Sequence, residues 1–261
     1  MRKVITAVLV IVALLVAADF GATAVAEHAV ATRLRQRLGL PSDPSVRING
    51  FPFLTQAVAG RYGSIDVRAS GVSVDQLHDL DVEATLYDVD APLHEMISGN
   101  LQSVRVGRVD GRVRVKDADL GRAIGIDDLQ IQQPSEQEIK ELSPPGTPAP
   151  ENGVPSDRAP IRLVATINVA GQPIEVIGLG VIELIGGVVR ITTRDVRLSR
   201  DGGAEAGLPS GIRQTVLKTL STDVTPGGLP FAVTPTKVWV RTGSVVVAGT
   251  ATDVTLGKTG S

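Results

Sequence analysis

The sequence predicts an α+β fold: a long, strongly curved antiparallel β-sheet wrapping amphipathic helices around an elongated apolar cavity. Three observations lead there. Beyond residue 45 most segments alternate apolar and polar residues, the period of a strand with one covered face. Only a few segments, chiefly 27–38 and 208–222, carry an apolar stripe at helical spacing. A one-faced sheet and one-striped helices bury each other, and a sheet curled that far leaves an elongated interior. Val, Ile, Leu and Ala would line it, which suits an acyl chain. A filled β-sandwich satisfies the same pattern.

The chain opens with Arg2 and Lys3, followed by an unbroken apolar run, Val4–Ala18. These are the charged and hydrophobic regions of an export signal. As a helix the run measures about 22 Å, short of the roughly 30 Å hydrocarbon core of a bilayer. Asp19 interrupts it, and a span extended through Asp19 to Ala26 would be long enough. Ala22-Thr-Ala24 and Ala24-Val-Ala26 both fit the small-x-small pattern of a cleavage site. Residues 1–26 are thus a signal peptide or a signal anchor, and residues 27–261 the domain that follows.

Glu27–Leu38 reads as a helix, with Val30, Leu34 and Leu38 on one face and Arg33, Arg35 and Arg37 on the others. Gly39 stops it and Pro41 follows. The arginines suit a surface helix or anionic lipid headgroups. Next comes Val46–Gln56, which holds Phe51 and Phe53 astride Pro52, two of the four phenylalanines in the chain. Pro fixes φ and lacks a donor, so this stretch is expected at a strand start, an edge or a bulge. Phe231 sits in a reduced echo, Gly228-Leu-Pro-Phe231.

Arg61–Val74 and Leu80–Asp88 alternate as strands, Ile65, Val67 and Ala69 in one and Val82, Ala84 and Leu86 in the other being the apolar sets. Asp110-Gly111 is a hairpin signal, pairing Val104–Val106 with Val109–Val115. Short helices are expected at Lys116–Gly125 and Pro134–Leu142. Ser143–Pro160 carries six prolines and reads as a mobile insertion. Strands resume at Ile161–Val169, Ile174–Ile185 and Val188–Leu198, with Gly186-Gly187 as a turn. Leu208–Thr222 is a helix with Ile212, Val216 and Leu220 on one stripe, and Thr236–Arg241 and Ser244–Leu256 close the chain as strands. Each half thus runs from an amphipathic helix through a Gly-x-Pro-Phe entry to alternating strands, a weak internal repeat.

Composition removes several functions. A net charge of −2 leaves no basic footprint for nucleic acid, and 3% aromatic residues give few platforms for bases or sugars. No Cys is present, so there is no disulfide, thiolate nucleophile or lipoprotein anchor. His28, His78 and His94 are scattered without metal-ligand spacing. No nucleophile elbow, phosphate-binding loop or dinucleotide fingerprint occurs. Asp79-Leu-Asp81, Asp88-Val-Asp90 and Asp117-Ala-Asp119 are D-x-D triplets that would hold a divalent cation at a nucleotide sugar. They read more simply as solvent-side strand and cap residues. No catalytic residue, metal site or cofactor is expected.

One family is similar. An export segment, a helix ending Arg37-Leu-Gly39-Leu, then Val46-Arg-Ile-Asn-Gly-Phe-Pro-Phe-Leu-Thr-Gln56 come in that order. Gly60-Arg-Tyr62, Ile65-Asp-Val67, Leu86-Tyr-Asp-Val-Asp-Ala-Pro92 and Gly228-Leu-Pro-Phe231 follow. This resembles the LmeA-like phospholipid-binding family of actinobacterial envelopes, over nearly the whole chain after residue 25. The resemblance implies a non-enzymatic, exported envelope protein with a tubular lipid-binding-like body. It further implies binding of phosphatidylinositol-type lipids and support of mannan elongation on lipomannan. Expected partners are a phospholipid, the membrane surface and envelope glycosyltransferases. Burial logic nominates Phe51, Phe53, Leu54, Leu86, Phe231 and Trp239 as apolar lining or rim. Arg33, Arg37 and Arg61 are nominated for the headgroup phosphate. The competing readings are an envelope enzyme on lipid-linked sugars and a structural interaction domain with a filled core.

Overall fold

A computed structural model describes residues 1–74, 77–98, 104–143, 150–169, 172–198, 206–207, 210–224 and 233–255. Its elements begin with α1 (Arg2–Leu38), β1 (Ser45–Asn49), α2 (Phe53–Ala59), β2 (Arg61–Val74), β3 (Leu77–Asp90) and α3 (Leu93–Ser98). Then come β4 (Arg105–Lys116), α4 (Asp117–Ile124), β5 (Gln130–Gln132), α5 (Glu136–Leu142), β6 (Arg158–Val169) and β7 (Gln172–Ile185). The last are β8 (Val188–Leu198), β9 (Ala206–Gly207), α6 (Ser210–Thr219), β10 (Thr222–Val224), β11 (Thr234–Arg241) and β12 (Ser244–Thr255). The α+β class holds. Phe231 and its motif, residues 144–149 of the Pro-rich segment, and Leu208, Pro209 and Leu256 lie outside the described residues.

The strands form two antiparallel sheets where the sequence predicts one. The first has the order β1-β2-β3-β4-β12-β11; the second runs β10-β8-β7-β6-β5, with β9 on β8. Asp110-Gly111 is no hairpin. Both residues lie inside β4, with Asp110 between Thr85 and Thr250 and Gly111 between Ala84 and Gly249. Neighbours on both sides hold β4 extended, and they override a dipeptide that would turn in isolation. The second sheet is covered on both faces. One joins a core of Ile161, Leu163, Ile182, Ile191, Val216 and Leu220. The other packs Val164, Ile177 and Leu179 under Leu142 of α5. A capping box starts α5, with Ser135 and Glu138 exchanging side-chain and backbone hydrogen bonds. The Pro-rich segment ends before Pro160, since β6 begins at Arg158. Just upstream, Ser156 exchanges two backbone hydrogen bonds with Val238, which ties this return to β11.

The first sheet changes its facing along a transverse line. Ile48, Ile65, Leu86, Val109 and Ala251 lie side by side across β1, β2, β3, β4 and β12. In a regular strand the next inward residue is two positions on. Here the next cluster members are Tyr62, Val89, Val106 and Val254, three positions on in each strand. Asp88 and Asp253 sit at the change with φ of 53° and 52°. Gly107 belongs there because a Cβ would lie 3.1 Å from that of Asp88. An extra residue re-aims a strand's side chains and bends it. Four strands doing so together crease the sheet around the core beneath α1, α2 and α3.

α1 runs unbroken from Arg2, so the expected helix at Glu27–Leu38 is only its last third. Ala22, Ala26, Val30, Ala31 and Leu34 pack into the core with Val46, Ile48, Phe53 and Tyr62. Leu38, expected on this stripe, is exposed. Gly39 ends the helix in the left-handed region at φ 63°.

Candidate functional site

Phe51-Pro52-Phe53 starts a helix and not a strand. Pro52 is the N-cap of α2, a position whose N–H makes no helical hydrogen bond, and Phe53 is the first helical residue. The cap comes from elsewhere in the chain. Asp19 of α1, only 4% exposed, accepts the backbone N–H of Phe53 at 2.9 Å and that of Leu54 at 2.8 Å. The acid that interrupts the apolar run is therefore the cap of a helix 34 residues downstream. Glu27, one face further along α1, accepts the N–H of Ile48 at 2.7 Å and docks β1.

The two phenylalanines diverge from this cap. Phe53 is 2% exposed and stacks on Tyr62 with ring centroids 6.4 Å apart. Phe51 is 61% exposed and stacks on Phe20 of α1 at 6.1 Å. Leu54 and Val58 are exposed beside it, Val58 to 92%. Among the described residues the Tyr62 hydroxyl has no hydrogen-bond partner, and burial raises its pKa.

A second apolar surface covers the inner face of the first sheet. Two cross-strand rows follow the Ile65 row away from the crease. One is Val46, Val67, Ala84, Gly111 and Gly249; the other is Ala69, Val82, Val113, Val247 and Val238. One buried cluster closes one end of this face, and the other cluster, built on the second sheet, closes the opposite end. Between them Val67, Val82, Ala84, Gly111, Val113 and Val247 stay half-buried. Val82 and Val113 belong to neither cluster. A Cβ at Gly111 would meet only the Glu83 carbonyl, at 3.8 Å. The expected apolar interior is thus an open strip among the described residues. Clefts on the second sheet and α5 are not apolar tubes: one, of about 520 Å³, is lined by Gln132, Gln133, Glu138, Glu141, Arg162 and Arg197. Arg162 pairs with Glu138, and Arg197 with Glu141 and Asp195, so its guanidinium groups are already matched.

The opposite face of the sheet is a charged ladder. Arg112 meets Glu83 at 3.6 Å, Arg114 meets Asp81 at 3.8 Å and Lys116 meets Asp79 at 2.7 Å. Hydrogen bonds from Asn49 and Thr85 hold the Asp66 carboxyl below its ordinary range. Asp119 is buried, accepts the N–H groups of His78 and Asp79, and pairs with Arg122. The D-x-D triplets are therefore spread over a ladder, a crease and a buried cap. Among the described residues no cluster of three acids or histidines could hold a metal.

The nominated residues separate in space. Phe51, Phe53 and Leu54 meet at the α1–α2 junction, and Leu86 lies in the Ile65 row of the same core. Trp239 stands on β11, three strand steps from Leu86 on β3. It pairs with Val246 and points opposite to Val238 and Val240, which face the core. Arg33 donates to the Ile97 carbonyl at 3.2 Å, Arg37 is engaged as well, and Arg61 opens β2 opposite Asp90. Sequence reasoning missed Asp19, the Ala84–Gly111 strip and Val58. Strand alternation already puts Ala84 on the apolar face of its strand, whereas the hairpin signal hides Gly111; nothing local marks Asp19 as a cap.

The body is α+β, with one face of the first sheet apolar and half-buried between two cores, the other face charged, and an apolar helix projecting. The chain belongs to the LmeA-like phospholipid-binding family, whose family model matches residues 17–250. No curated protein and no solved structure matches it.

Proposed function

We propose that the protein is a non-enzymatic phospholipid carrier of the cell envelope. An acyl chain lies along the strip floored by Val67, Val82, Ala84, Gly111, Val113 and Val247. The observation that carries this reading is that strip, apolar and half-buried between two filled cores, in a member of a phospholipid-binding family. Burial of each methylene there is worth about 0.8 kcal/mol, so a chain-length strip suffices for tight binding. The resemblance adds a phosphatidylinositol-type headgroup and a role in lipomannan elongation, with the protein exported and held at the membrane. Arg61, exposed at the start of β2 opposite Asp90, is one candidate for the headgroup phosphate. The enzyme reading is disfavoured by the employment of Asp79, Asp81 and Asp119 in ion pairs and caps.

The test is lipid extraction and mass spectrometry on residues 17–261, purified without detergent. Stoichiometric phospholipid enriched in phosphatidylinositol is expected. Gly111→Leu, which fills the strip without a steric conflict, should fold normally and lower uptake from vesicles about tenfold, since two displaced methylenes are worth about 1.6 kcal/mol. An empty protein that also fails to take up phosphatidylinositol would overturn the reading.

A further inference from the structure

α1 is long and apolar enough to cross a membrane, and residues 4–15 expose nearly all their large side chains. From Val4 to Glu27 the polar side chains are Thr6, Asp19, Thr23 and Glu27. Each is spent inside the protein. Thr6 and Thr23 donate to the Arg2 and Asp19 carbonyls one turn back, at 3.0 and 2.8 Å. Asp19 caps α2 and Glu27 docks β1. Past Asp19 the exposed side of α1 remains apolar through Phe20, Gly21, Ala24 and Val25, and its first ionisable exposed residue is His28. The apolar outer surface therefore runs from Val4 to Val25, about 33 Å at 1.5 Å per residue, enough for the roughly 30 Å hydrocarbon core. Without the domain, Asp19 would break that surface.

Cleavage after Ala24 or Ala26 would remove this arrangement. It would take Asp19 from the α2 N–H groups and Ala22 from the core. The family match starts at residue 17, ahead of both small-x-small sites. We infer that α1 is a retained anchor, and that Phe20, Phe51, Leu54 and Val58 form an apolar collar sunk into the bilayer where the helix leaves it. The occupant of the collar is lipid because the collar continues the helix surface: Phe51 is stacked on Phe20. α2 itself carries no charge, and the Thr55 hydroxyl donates to the Pro52 carbonyl at 2.7 Å. A water-facing amphipathic helix would instead present charges outward. The inference rests on α1 and α2 alone and does not depend on the acyl strip.

The absence of Cys makes a direct test possible. The full chain with Val58→Cys, labelled with a polarity-sensitive fluorophore, is expressed in an exporting host and reconstituted in phosphatidylcholine–phosphatidylglycerol vesicles. Val154→Cys, on an exposed loop, serves as the reference site. Intact mass of the membrane fraction should include residues 1–26. The Val58 label should shift to the blue and be quenched severalfold by brominated acyl chains, with the Val154 label unaffected. A membrane-fraction mass starting at residue 25 or 27 overturns retention. A retained chain whose Val58 label stays in water overturns the collar. Both readouts are independent of whether phosphatidylinositol is carried, so failure here and failure of the carrier reading are told apart.

Discussion

Asp19 shows how much a single side chain decides. An acid in the middle of an apolar helix looks like a defect of a membrane segment, but its two oxygens hold the first two N–H groups of α2. Asp19→Ala strands both donors in a buried place, at a cost of about 1–3 kcal/mol. Asp19→Asn keeps one acceptor oxygen and should lose roughly half as much. Urea unfolding of residues 17–261 measures both, and equal stability of all three proteins would contradict the assigned cap. The sequence shows Asp19 plainly and hides its partner, because the contact joins residues 34 positions apart. For the same reason the D-x-D triplets match a metal motif on paper, although they read more simply as solvent-side strand and cap residues. The carboxylates of Asp79 and Asp81 go to Lys116 and Arg114, and that of Asp119 to the N–H groups of His78 and Asp79, all supplied by other elements.

At the scale of elements, alternation located the long strands well, since period two survives any choice of neighbour. β2, β3, β6, β7, β8 and β12 lie where the pattern places them. The failures came where neighbours decide. Asp110-Gly111 turns a free chain but stays extended between two bonded strands. Phe51-Pro52-Phe53 starts a helix because a distant acid caps it. The crease is invisible to a single-strand reading, because one misplaced inward residue looks like noise. Only the alignment of Tyr62, Val89, Val106 and Val254 reveals it. Asp88 is its most sensitive member, being a non-glycine residue at φ 53°. Asp88→Gly should be neutral to slightly stabilising, whereas Asp88→Val should cost about 1–2 kcal/mol through the left-handed backbone. Thermal melting of the two variants decides it, and a harmless valine would remove the strain from the account.

The whole molecule divides its surfaces by polarity. One face of the first sheet pairs its charges into a ladder, the other is an apolar strip between two cores, and α1 projects an uncharged rod. The family was legible from short motifs, and its model covers residues 17–250. The site was legible only in part. Phe51, Phe53 and Leu54 stand out in the sequence as candidate apolar lining or rim, but which face of each strand turns inward depends on register, and register is a property of pairs. That is why the sequence alone does not show that Trp239, the one tryptophan, points opposite to Val238 and Val240, nor that Ala84 and Gly111 lie side by side.

The central claim is that an acyl chain rests on the inner face of β3 and β4. The most direct measurement is photo-crosslinking with phosphatidylinositol carrying a diazirine in the middle of one acyl chain. It is loaded onto residues 17–261 from vesicles and mapped by peptide mass spectrometry. The account predicts adducts on Val82–Leu86 and on Val109–Val113, lost when Gly111 is replaced by Leu. Adducts confined to α2, with none on β3 or β4, would contradict it and move the lipid from the strip to the collar.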